Sequence, residues 1–113
     1  LNPTSQAAPL HHKFKGNGPY LLDEPEAALS PNRQLAALSV IHQLVQQDSQ
    51  FIIATHSPIL LAYPNAKILL FDGTGITEVA YEDTEHYAVT RDFLNHYPKR
   101  LERLLGQGQD QDG

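Results

Sequence analysis

Residues 20–31 read Tyr-Leu-Leu-Asp-Glu-Pro-Glu-Ala-Ala-Leu-Ser-Pro, and this stretch decides the reading of the chain. An apolar run, Tyr20 to Leu22, stops at two adjacent carboxylates, Asp23 and Glu24. A short apolar run of this kind reads as a parallel strand buried on both faces. Pro25 sets the chain direction after the acid pair. Ser30-Pro31 then predicts a helix start, with serine as N-cap and proline at the first helical position, where its missing N–H costs nothing. The helix is expected to run to about Gln47. Leu35, Leu38, Ile41 and Val45 form its apolar stripe, with Ala37 and Leu44 beside it.

A second apolar run follows, Phe-Ile-Ile-Ala-Thr-His-Ser-Pro at 51–58. Phe51 to Thr55 reads as another buried strand. Ser57-Pro58 repeats the serine–proline start, so a short helix is expected to about Ala62, ended by Tyr63-Pro64-Asn65. Two strands then end side by side, one offering Asp23 and Glu24 and the other His56. In parallel α/β sheets, ligands sit at the carboxyl ends of strands, where all three residues fall.

Further along, Lys67 to Phe71 reads as a third strand. Asp72-Gly73-Thr74-Gly75 is a turn, and Ile76 to Tyr81 a fourth strand, paired as a hairpin with the third. Asp83 or Thr84 caps a helix over about 85–96, with Tyr87, Phe93, Leu94 and Tyr97 near one face. Pro98 starts a further turn or two carrying Leu101, Leu104 and Leu105. Residues 1–19 are broken by Pro3, Pro9, Gly16, Gly18 and Pro19 and read as an irregular arm. His11-His12 lacks a third ligand at metal-binding spacing. Residues 106–113 contain only Gly, Gln and Asp and read as a disordered tail. The domain plan is therefore an arm (1–19), one α/β domain (20–105) and a tail (106–113).

At 113 residues the chain holds at most one domain, and its 41% hydrophobic and 19% charged composition suits a water-soluble globular protein. The net charge of −5 argues against a nucleic-acid-binding surface, which needs clustered Lys and Arg. There are no cysteines, which excludes disulfides and thiolate metal sites and is compatible with a reducing, cytoplasmic setting. No run approaches the length of a membrane span, and no signal-peptide layout is present. The chain opens on Leu1 rather than Met, which reads as a fragment or as missing early residues.

Leu-Leu-Asp-Glu-Pro-Glu-Ala-Ala-Leu-Ser-Pro, followed by Ile-Ile-Ala-Thr-His-Ser-Pro, resembles the Walker B, D-loop and switch-histidine region of ABC-type ATPases. The likeness is closer to the soluble bacterial branch of AAA-family or ABC-type ATPases, related to DNA-repair and chromosome-maintenance ATPases, than to transporters. Tyr-Glu-Asp-Thr-Glu-His-Tyr (81–87) and Thr-Arg-Asp-Phe-Leu (90–94) resemble the tail of that branch. The resemblance covers roughly residues 13–105, the C-terminal part of a P-loop NTPase sheet. It implies Asp23 as the Walker B residue holding Mg2+, Glu24 as the catalytic carboxylate and His56 as the γ-phosphate switch. Ser30 stands at the D-loop position, where transporters carry Asp.

Two expected parts are not in the sequence: no Gly-x-x-x-x-Gly-Lys-Ser/Thr cradles phosphates, and no Ser-x-Gly-Glu-like signature precedes Asp23. The first functional expectation is therefore an ATP-hydrolysing domain using Mg2+ and ATP once a P-loop-bearing segment completes it, with the isolated chain inactive. The alternative is a non-catalytic interaction or self-association module that retains the fold, since an incomplete sheet leaves open edges and bare apolar faces. A third expectation is a magnesium-dependent nuclease or phosphatase built on Asp23 and Glu24. It needs further carboxylates, and only Asp72 and Asp83 offer themselves, both as turn or cap residues. Ser57 is expected to be a structural cap, and Glu26 a solvated charge.

Overall fold

The computed structural model describes residues 19–106. The arm expected over 1–19, His11-His12 included, lies outside the described residues except for its last position, as does the expected tail beyond Gly106. The chain is mixed α/β and divides into two units, one ending at Ala66 and the other beginning at Lys67.

In the first unit, β1 (Pro19–Asp23) and β2 (Gln50–Ala54) form a two-stranded parallel sheet. The register pairs Leu21 with Ile52 and Asp23 with Ala54, so the strands end level. Between them runs α1 (Pro31–Gln46). Its start is as the sequence dictates: Ser30 is extended, its side chain accepts from the Arg33 amide, and Pro31 occupies the first turn. Past its end, Asp48 takes a left-handed conformation (φ 68°) and donates its amide to Val45 O, a common helix stop.

The buried apolar set is Ala37, Ile41 and Leu44 from α1, with Leu60 from the loop beyond β2. The expected stripe is therefore rotated. Leu35 is 55% exposed, and Leu38 and Val45 are only half-buried. Geometry explains the shift, because α1 packs on β2 and on the 60–62 turn. Leu35 lies about 120° around the helix from Ile41, too far to share that face.

The expectation that both strands are buried on both faces also needs correction. Tyr20, Leu22, Phe51 and Ile53 are half-buried, with the Tyr20 and Phe51 rings 5.2 Å apart. Leu21 and Ile52, on the opposite face, are 75% and 57% exposed. A parallel sheet is covered on both faces only when helices lie on both. Among the described residues of this unit, α1 is the single α-helix.

The short helix expected after Ser57 is reduced to a 3-10 turn, Leu60–Ala62. Ser57 still caps it, accepting from the amides of Ile59 and Leu60. Pro64 and the left-handed Asn65 (φ 64°) follow too closely for the helix to grow.

In the second unit, β3 (Ile68–Asp72) and β4 (Gly75–Val79) form the expected antiparallel hairpin. Strand β4 begins and ends earlier than the expected 76–81. The two-residue Gly73-Thr74 loop brings Asp72 opposite Gly75, whose φ of 132° suits glycine alone. Asp72 fastens the turn by accepting from the Thr74 amide (2.8 Å) and hydroxyl (2.7 Å).

Thr84, rather than Asp83, caps α2 (Glu85–Leu101) by accepting from the Tyr87 amide. The break expected before Pro98 is present: His96 leaves helical geometry (φ −137°), so α2 is two helical stretches joined across a kink. Pro98 lacks the amide that its turn would use, and its ring crowds the carbonyl four residues back. A π-helical turn, Glu102–Gly106, closes the described chain. No helix is long and apolar enough to cross a membrane among the described residues.

Candidate functional site

The carboxyl ends of β1 and β2 carry the cluster that the sequence singles out. Asp23 is the last residue of β1 and is exposed. Glu24 leaves the strand, and its amide donates to the Ala54 carbonyl at 2.6 Å, the last tie between the two strand ends. Its backbone then turns left-handed, with φ 49° and ψ 55°. A non-glycine residue rarely adopts that conformation, and such residues concentrate at functional sites. Pro25–Ala28 follows as a 3-10 turn and leads to Ser30.

Across the sheet, the chain leaves β2 through Thr55 and His56. His56 Nδ1 lies 3.2 Å from Glu24 Oε2, with both side chains largely in solvent. The structure therefore joins two of the residues picked from sequence, Glu24 and His56. Ser30 serves as the α1 cap, as its sequence context indicates.

Glu26 is the residue that sequence reasoning missed. Read as a solvated charge, it is instead half-buried and fully engaged. Its Oε1 accepts from the Thr55 hydroxyl at 2.6 Å, and its Oε2 from the His56 amide at 2.9 Å. Partial burial works to raise its pKa. The Thr55 hydroxyl, the amides of His56 and of Glu26 itself, and the nearby His56 ring outweigh that, so the carboxyl is held below the usual glutamate value. The available signal was Glu26 itself, a second carboxylate just past the acid pair on a turn facing a Thr-His-Ser corner.

The corner continues past Glu26. Thr55 Oγ1 accepts from the Ser57 amide at 3.0 Å. Ser57, only 4% exposed, donates its hydroxyl to Gln34 Oε1, and Gln34 Nε2 donates to the Leu29 carbonyl. Thr55, His56 and Ser57 are thus each tied to a neighbouring element.

Glu24, Glu26 and His56 each present one ligand atom, and these lie within 4.8 Å of one another. Two carboxylate oxygens and an imidazole nitrogen form a donor set better matched to a transition ion than to Mg2+, which prefers six oxygens. Both Glu26 oxygens also already accept hydrogen bonds. The cluster is therefore not a ready cage for Mg2+. Asp23 is exposed beside this cluster and is not one of its three members.

Comparison with known protein families and with curated proteins finds no match for this chain.

Proposed function

We propose that the chain supplies the acid-and-histidine half of an ATP-hydrolysing site of the ABC type, within a P-loop NTPase sheet. The observation that carries the reading is the meeting of Glu24 and His56 at 3.2 Å across the level ends of two parallel strands. The strained backbone of Glu24 supports it, since such strain is kept where a side chain must be aimed.

In this reading Asp23 holds Mg2+ together with the nucleotide's phosphates, and the ion neutralises charge on the transferring group. Glu24 accepts a proton from the attacking water or orients it. His56 donates to the γ-phosphate. Ser30, at the start of α1, faces a second ATPase unit across the nucleotide. The phosphate-cradling glycine loop is absent from these 113 residues and must come from another segment or chain.

The test uses the protein isolated from its native cells with whatever accompanies it. It is expected to hydrolyse Mg-ATP, and Glu24→Gln is expected to lower kcat by about 10²–10⁴-fold while sparing ATP binding. Wild-type turnover by Glu24→Gln, or no turnover by the native protein, refutes the reading. The 113-residue chain alone is expected to show none. Turnover by that chain, lost on Glu24→Gln, would overturn the need for a second segment.

A second reading is favoured by the uncovered face of the parallel sheet, where Leu21 and Ile52 are 75% and 57% exposed. It makes the chain a non-catalytic module that self-associates or pairs through that face. A clean monomer by light scattering at high concentration counts against it.

A further inference from the structure

Glu26 has no part in the chemistry just described, yet its side chain ties the turn after β1 to the end of β2. Its carboxylate reaches from the turn after β1 to the corner after β2. One oxygen accepts a hydrogen bond from the Thr55 hydroxyl at 2.6 Å and the other from the His56 amide at 2.9 Å. The direction of the first bond matters. Because Thr55 donates its only hydroxyl hydrogen to Glu26, its oxygen lone pairs are left for the Ser57 amide, which donates to it at 3.0 Å. A single carboxylate thus organises three consecutive residues, two directly and one through a relay. His56 is the middle one, and its ring is exposed. The ring is carried by the residue whose amide Glu26 holds, so fixing that backbone fixes the point from which the ring reaches Glu24.

We propose that Glu26 is a positioning residue, whose carboxylate fixes the Thr55-His56-Ser57 corner so that the His56 imidazole meets Glu24. The proposal rests on the ATPase reading only for its catalytic consequence, because the geometric claim concerns this chain alone. An ionised carboxylate suits the task, since it offers acceptors on both oxygens and needs no donor. Glutamine at this position keeps the length but replaces one acceptor with an NH2 group. That group either faces the His56 amide, which loses its acceptor, or faces Thr55, where it can only donate to the hydroxyl oxygen and so reverses that bond. In both cases the remaining bond to the side chain is no longer charge-assisted. Glu26→Gln is therefore expected to fall between wild type and Glu26→Ala.

Nuclear magnetic resonance on the full chain tests the geometry. In wild type, the His56 amide is expected to exchange with solvent markedly more slowly than an exposed loop amide. In Glu26→Ala, its exchange is expected to accelerate by about 10- to 100-fold, the range for loss of a hydrogen bond to a charged group. The His56 ring nitrogen shifts should move as the contact with Glu24 is lost, with Glu26→Gln intermediate. A general loss of packing would instead accelerate the amides of α1 in parallel. An unprotected His56 amide in wild type overturns the proposal without any variant. Unchanged ring shifts in a folded Glu26→Ala chain overturn it as well.

The catalytic consequence is read in the native protein. There Glu26→Ala is expected to lower kcat by about 10²-fold, the scale of a small misplacement of a reacting group, with little change in KM for ATP. If wild type hydrolyses ATP and Glu26→Ala does so equally well, the positioning role fails and the ATPase reading stands. If the resonance signature is present but native wild type hydrolyses no ATP, the ATPase reading fails and the positioning role stands.

Discussion

Replacing Glu24 with glycine and, separately, with alanine should reverse the usual order of the two residues. Glu24 sits at φ 49° and ψ 55°, a left-handed conformation in which Cβ crowds the following carbonyl. The cost for a residue with a side chain is roughly 1–2 kcal/mol, and glycine escapes it. Glycine loses about 0.4–1 kcal/mol more unfolded-chain entropy than alanine on folding. The difference leaves Glu24→Gly more stable than Glu24→Ala by about 0.5–1 kcal/mol, the opposite of the ordinary preference for alanine. Both variants lose the contact with His56, so that contact cancels from the comparison. Its own worth is small, because the two side chains are 48% and 70% exposed.

Urea unfolding of the two variants, followed by circular dichroism, supplies the comparison. In thermal melts the glycine variant should unfold about 3–6 °C higher. Alanine equal to or above glycine would refute the claim that the backbone at Glu24 is strained. With it would go the argument that the strain is kept to aim the carboxylate.

Acid should destabilise the first unit in part through Glu26. Its carboxyl is held below the usual value, so its contribution is fully present above the unfolded glutamate pKa of about 4.3 and is lost as pH falls through the lower folded value. Urea midpoints at about pH 6 and pH 3 should therefore differ less in Glu26→Gln than in wild type, and an equal difference would contradict the assignment. Ser30→Ala removes the side-chain acceptor of the Arg33 amide and should cost about 0.5–2 kcal/mol in the same assay, whereas Ser30→Asp should retain most of that stability.

Local chemistry was legible in the sequence wherever the partners are near in the chain. The caps at Ser30 and Thr84 are each bonded to an amide three residues on, so a short window contains donor and acceptor together. The Asp72 turn is the same kind of object, closed within two residues by Thr74. The strand pair, too, was legible, because two apolar runs with polar stops around a well-marked helix allow few other arrangements. The break before Pro98 was legible because its cause is near in the chain, and the turn after Ser57 stayed short for a local reason, because Pro64 and Asn65 follow too closely for a helix.

Tertiary structure decided the rest, because it depends on separations that no window contains. Glu26 reaches partners 29 and 30 residues away, and only the level ends of β1 and β2 bring them within hydrogen-bonding distance. The same holds for the choice of buried face. Periodicity gave α1 an apolar side, but the packing of β2 and the 60–62 turn selected Ala37, Ile41 and Leu44 over Leu35. Residue types and short spacings thus determined where the acid pair and the histidine stand. The three-dimensional chain alone determined that Glu24 is strained, that it meets His56, and that a neighbouring carboxylate holds the corner between them.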